Sequence, residues 1–225
     1  MTVLTTSKAP QQFLSYFKNK LLLPDNPELD SRVSFHTDLS LFSFGDTVIC
    51  SPFLYDYISQ SFSNIKTVKG EQTYSPYPHD VAYNAALVGK TLFCNEKYTS
   101  QAVIEEAKKR NIRIADVSQG YAKCSIVSVS ENALITSDAS VKNAAEKEGK
   151  DVLLVTNEGV FLDGFEYGFI GGASFCTDDE VVFSGDLTLS PYTQQIIDFI
   201  AKYNKKTVFF PGYPLCDIGS PAAVY

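Results

Sequence analysis

The feature that most constrains this chain is an internal repeat. One copy begins at Gly120-Tyr121 and runs to Asp138; another begins at Gly168-Phe169 and runs to Asp186. In both, 18 residues separate the glycine from the aspartate. Each copy reads as strand, polar turn, strand, then helix, with Ser130-Glu131-Asn132 and Asp178-Asp179-Glu180 at the turns. A supersecondary unit of this size cannot bury its apolar face alone, so copies must pack on one another.

Laying the predicted hairpins over one another extends the register to the whole chain. Units start at His36, Asp80, Gly120, Gly168 and Gly212. Four residues into each unit stand Ser40, Asn84, Cys124, Gly172 and Cys216, at steps of 44, 40, 48 and 44. Strands are predicted over Arg32–Phe44 and over short apolar runs beginning at Thr47, Ile65, Asn84, Thr91, Ile112, Ser125, Ala133, Val152 and Thr207. Helices are predicted over 54–62, from Thr99 or Ser100, and over 139–148 with Asp138 as N-cap. A further helix has Ser190 as cap and Pro191 in its first turn. Four units carry their own helix, whereas the fifth is cut off by the chain end. A helix without a hairpin is predicted at residues 11–22, with Phe13, Leu14, Phe17 and Leu21 on one face. The N-terminal segment is therefore expected to complete the last unit and close a ring. The fold class is α/β, one domain over residues 1–225. A doubly wound sheet fits less well, because single strands do not alternate with helices and no G-x-G-x-x-G follows a strand.

Composition narrows the function. The net charge is −7. General nucleic-acid or anionic-membrane binding needs Lys/Arg clusters, so neither partner is expected. The basic runs Lys108-Lys109-Arg110 and Lys205-Lys206 fall at predicted helix C-termini, where the dipole favours cations. No window has the ~20 apolar residues of a membrane helix, and no secretory h-region opens the chain. Five cysteines without a C-x-x-C pattern fit reduced thiols in a cytoplasmic protein.

A closed ring of five β-β-α-β units resembles the pentein fold, the five-bladed β/α propeller of amidinotransferases, arginine deiminases and dimethylarginine dimethylaminohydrolases. More closely, the chain resembles an uncharacterised bacterial family with this amidinotransferase-like (GME) fold. The stretches carrying the resemblance are His36-Thr37-Asp38, Tyr77 to Asp80 with Asn84, Gln119 to Cys124, Gly168 to Ser174, Phe183 to Gly185 and Leu215 to Ser220. The resemblance implies a site on the ring axis and no assigned reaction.

Equivalent residues near inner strand ends would face that axis. The candidate catalytic residues are Cys124, Cys216 and His36; the candidate binding residues are Asp38, Asp80, Asn84, Lys123 and Asp217. A thiolate attacking an amidinium carbon needs a lowered pKa or a base, and carboxylates to hold the guanidinium. Gly212 to Cys216 resembles the segment carrying the nucleophile of dimethylarginine hydrolases. Those enzymes keep their essential histidine in the fourth unit, where this chain has Phe169-Ile170-Gly171-Gly172. That replacement argues against the hydrolase mechanism. No ligand spacing such as H-E-x-x-H is present, so neither a metal nor a cofactor is expected. The expected function is binding, with or without modification, of a small guanidino- or amino-acid-like cation. The alternative is a non-catalytic protein-interaction module of the same fold.

Overall fold

Five three-stranded sheets share one topology in the computed structural model, which describes residues 1–225. The first contains β3 (Leu41–Ser43), β4 (Thr47–Cys50) and β5 (Lys66–Lys69), with α2 (Pro52–Ser61) crossing between β4 and β5. The second contains β6 (Ala86–Val88), β7 (Thr91–Cys94), α3 (Gln101–Lys109) and β8 (Arg113–Asp116). The third contains β9 (Ile126–Ser130), β10 (Ala133–Thr136), α4 (Ala139–Lys147) and β11 (Asp151–Leu154). The fourth contains β13 (Ser174–Cys176), β14 (Glu180–Phe183), α5 (Thr193–Lys202) and β15 (Lys206–Val208). In each, the first two strands are antiparallel and the third lies parallel to the second. A parallel pair needs a crossover connection, and the helix supplies it.

The fifth sheet is assembled from both chain ends. Its order is β17 (Ala222–Val224), β1 (Thr2–Thr6), β2 (Lys20–Leu23), with α1 (Gln11–Tyr16) crossing between β1 and β2. β17 pairs antiparallel with β1, and β1 parallel with β2. A two-stranded ribbon, β12 (Val160–Phe161) with β16 (Leu215–Cys216), lies outside the repeat.

Local chemistry explains most element ends. The Asp138 carboxylate caps α4 by accepting from Ser140 N at 2.8 Å and Val141 N at 3.0 Å. Pro52 stands in the first turn of α2, where its missing N–H costs nothing. Helix α5 buries Ile196 and Ile200 completely against the Val181 and Phe183 face of its sheet. Each such side chain contributes about 1.5–3 kcal/mol relative to leaving it exposed.

Three expectations need correction. The helix foreseen over 11–22 ends at Tyr16, because Phe17 is extended and residues 20–23 form β2. Parallel pairing with β1 outweighs the helical spacing of Leu21 there. The long strand over 32–44 is instead a run of turns, a 3-10 turn at Thr37–Leu39 and the short β3. Ser190 ends a 3-10 turn rather than capping α5, which starts at Thr193.

The fifth unit is also displaced in register. Asn84, Cys124 and Gly172 each stand two residues before the first strand of their sheets. In the fifth sheet that place belongs to Ser220, while Cys216 lies in β16. No hairpin turn joins β17 to β1, so nothing local sets that register.

Candidate functional site

His36 and Asp38 flank the first residue of the 3-10 turn Thr37–Leu39, and both are buried. Their position is fixed by Gly219, whose φ is +72°. A Cβ there would come within 2.3 Å of the His36 Cβ. Only glycine takes this backbone without strain and lets the turn approach so closely. Gly219 O accepts from Asp38 N at 3.3 Å.

Cys124 precedes β9 and is buried. Its thiol donates to Asp38 Oδ2 at 3.0 Å and accepts from Asn84 Nδ2 at 3.2 Å. The Asn84 side-chain oxygen also accepts from the N–H groups of Lys123 at 2.7 Å and Cys124 at 3.2 Å. Asn84 thereby holds the thiol by its sulfur and its backbone at once.

Asp217 is the fifth member of the cluster. It follows β16 and accepts from Phe169 N at 2.8 Å and Gly219 N at 3.0 Å. Its Oδ1 faces His36 Nε2 at 3.8 Å. The carboxylate fills the space over Gly172, where a Cβ would sit 2.0 Å from Asp217 Oδ1. Gly172 is therefore the place where another unit's side chain enters.

Two polar atoms in the cluster are buried with no hydrogen-bond partner, His36 Nε2 and Asp38 Oδ1. Burial raises the Asp38 pKa, and the nearby His36 and the Cys124 thiol pull it down only in part. Burial likewise raises the Cys124 thiol well above its usual value, and the Asp38 and Asp217 charges add to the rise. Burial thus biases both the thiol and the carboxyl towards their protonated forms.

A cavity of about 290 Å3 opens onto His36, Cys124 and Asp217. Its walls are largely aromatic, with Tyr121, Phe165, Tyr167 and Phe169, and the exposed Glu166 stands at its rim. The Tyr121 hydroxyl donates to Asp80 Oδ2 at 2.7 Å, which connects Asp80 to the wall. Burial raises the Asp80 pKa, and the Tyr121 bond works against the rise. A second cavity, of about 270 Å3, lies against Asp38 and Lys123 together with Ser128, Ser174 and Ser220. Burial lowers the Lys123 amine, while Asp38 pulls it back up.

His36, Asp38, Asn84, Cys124 and Asp217 therefore converge. Asp80 joins through Tyr121, and Lys123 lines the second cavity. Cys216 stands apart, packed against the Phe13, Phe175 and Val182 cluster. The shifted fifth register is the reason: strand β16 pairs with β12, outside the repeat. His79, by contrast, is exposed and stacks on Tyr74 at 4.6 Å.

The wall residues Tyr121, Glu166, Tyr167 and Phe169 escaped the sequence reading. A signal was present: Phe161, Phe165, Tyr167 and Phe169 place four aromatics within nine residues of a glycine-containing loop. Such density in a loop marks a binding surface more often than a core.

By fold, the chain is similar to a dimethylarginine dimethylaminohydrolase from Pseudomonas aeruginosa complexed with citrulline. The two share 11% identity and a TM-score of 0.60, over 93% of this chain and 91% of that one. It is also similar to an amidinotransferase of the saxitoxin biosynthetic pathway from Microseira wollei, at 9% identity and TM-score 0.51, over 84% and 67% of the two chains. An agmatine deiminase from C. jejuni matches at 11% identity and TM-score 0.50, over 92% and 74%. The fold is thus α/β and matches that of pentein structures. No curated protein matches by sequence. No helix is long and apolar enough to cross a membrane. A family model matches residues 5–221, and the chain belongs to that family, the family of unknown function DUF6873.

Proposed function

We propose that the aromatic-walled cavity binds a small guanidino- or amino-acid-like cation, with Asp217 as its buried anionic partner and Cys124 as the group beside its carbon. The observation that carries this reading is the convergence of Asp217, His36 and Cys124 at the floor of a cavity walled by Tyr121 and Phe169. A planar cation gains from a carboxylate below and from aromatic faces beside it. Similar structures are named for guanidino or amidino compounds, which agrees with this ligand class.

The same reading takes the five sheets as blades of one propeller forming a single domain, with the N-terminal segment closing the last blade. Backbone links between units support it: Cys124 O accepts from Gly172 N at 2.9 Å, and Gly172 O accepts from Ser220 N at 3.2 Å. Five free thiols suit a reducing cytoplasm.

The charge of the ligand decides whether chemistry follows binding. With the cavity free of cation, nearby carboxylates hold Cys124 in its thiol form. A guanidinium beside the sulfur favours the thiolate, and Asp38 is placed to take the proton.

Calorimetric titration of arginine, a methylated arginine and agmatine, with neutral citrulline as control, tests the proposal. Cations are expected to bind at least about 10-fold more tightly than citrulline, and Asp217→Asn to remove that preference. Equal affinities would count against the cation site. Absence of binding across the series would favour the interaction module instead.

A further inference from the structure

Three side chains of metal-ligand type meet between the two cavities, His36 and Cys124 lining the first and Asp38 the second. The donor atoms of His36, Asp38 and Cys124 all lie within 4.8 Å of one another, and all three residues are buried. Asp217 Oδ1 adds a fourth donor 3.8 Å from His36 Nε2. A zinc-type ion with donors at ~2.0–2.3 Å holds them roughly 3.3–3.8 Å apart in tetrahedral geometry. The Cys124–Asp38 pair, at 3.0 Å, is already that close. The widest pair among His36, Asp38 and Cys124 closes by up to about 1 Å to reach tetrahedral spacing.

The hydrogen bonding points the same way. Of these four residues, two carry a buried atom with no partner, His36 Nε2 and Asp38 Oδ1. Such an atom costs about 1–3 kcal/mol when left unpaired. One cation between them answers both. The surroundings also resemble those of a ligand shell. Asn84 Nδ2 donates to the Cys124 sulfur, and two backbone N–H groups orient Asp217. The cavity gives the ion an entry path.

We propose that His36, Asp38 and Cys124, completed by Asp217, form a site for one divalent transition-metal ion of the zinc class. Imidazole with thiolate selects such an ion over Mg2+ or Ca2+, which take oxygen donors. Cys124 binds as thiolate, its proton passing to solvent. Because the ion uses the sulfur and the Asp217 carboxylate, metal and organic cation exclude each other. The metal site does not depend on the organic-cation reading, and it is tested without any organic ligand.

The test is titration of chelator-treated protein with Co2+, followed by absorption spectroscopy, and then competition with Zn2+. The expected result is one equivalent bound, a near-ultraviolet thiolate-to-cobalt charge-transfer band, and loss of that band on adding Zn2+. Mg2+ and Ca2+ should leave it unchanged. Cys124→Ser should abolish the band, and Cys216→Ser should retain it. His36→Ala and Asn84→Ala should each weaken binding at least about 10-fold. X-ray absorption of the wild-type cobalt protein covers the case in which a variant fails to fold, with one sulfur among nitrogen and oxygen donors expected. No stoichiometric binding, a first shell without sulfur, or a band that survives Cys124→Ser would overturn the proposal.

Discussion

Cys124 and Cys216 hold the same place in the sequence register and opposite places in the molecule. Cys124 stands before β9, bonded to Asp38 and Asn84 at the cavity floor. Cys216 lies in β16 against an apolar cluster containing Phe13 and Phe175. The difference arises in the fifth unit, where four more residues pass before the repeat resumes at Ser220. Those residues put the Asp217 carboxylate where Gly172 leaves space. An extra turn of chain in one unit thus supplies a charged group to the site and takes the second thiol out of it.

The largest effect is expected at Gly172. An added methyl overlaps Asp217 Oδ1, and Gly172→Ala should cost about 3 kcal/mol in urea denaturation. Cys124→Ala, at the equivalent place in the third unit, should cost less, on the order of 1 kcal/mol. Pairing Gly172→Ala with Asp217→Ala isolates the clash. The double variant should recover about 2 kcal/mol relative to additivity. Strict additivity would show that the carboxylate is not what excludes a side chain at Gly172.

Next in size is the contrast in thiol reactivity. Burial and two carboxylates hold Cys124 protonated, while Cys216 is half-buried, its thiol raised by burial and then by Asp217. Iodoacetamide at pH 8, with peptide mapping, should label Cys216 about 10-fold faster than Cys124 in ligand-free protein. Faster labelling of Cys124 would remove the basis for a protonated resting thiol.

A smaller effect concerns pH. The Asp38 pKa is raised by burial, so the folded state holds this proton more firmly than the unfolded state. Its contribution to stability is complete below the unfolded carboxylate pKa and is lost as pH rises through the folded one. Asp38→Asn should therefore gain on the order of 1 kcal/mol over wild type at pH 8, and the gain should vanish below about pH 4. Thermal unfolding at both pH values checks this, and a gain independent of pH would assign it to packing.

The smallest expected effect is at Ser220, whose hydroxyl donates to Gly171 O at 2.9 Å. Ser220→Ala should cost about 0.5 kcal/mol in urea. Cys216→Ser tests the other side of the comparison, because placing a hydroxyl against the apolar cluster should cost a similar amount.

Much of the fold was legible because its signals are local. The Asp138 cap, the α5 stripe of Ile196 and Ile200 and the β9–β10 hairpin are each specified within a few residues of sequence. The candidate site was legible in part: His36, Asp38, Asn84, Cys124 and Asp217 are candidates from the register, and the structure brings these five together. Tyr121 and Phe169 are legible only as markers of the repeat, because nothing local shows that their rings face a cavity. The end of α1 at Tyr16 is not legible, because apolar spacing alone does not distinguish a helix over 11–22 from a helix followed by a strand.

The sequence by itself determined the number of units, the order of strands and helices within each, and the need for the N-terminal segment to complete the fifth. Those follow from periodicity, capping and turn chemistry, which act over a few residues. Tertiary structure alone decided which side chains share the floor. β17 and β1 lie at opposite ends of the chain, so their register is set by packing and not by a turn. That packing puts Ser220 on the repeat, moves Cys216 to the apolar cluster and brings Asp217 to His36. Residues this far apart in the chain converge through contacts that no local pattern encodes.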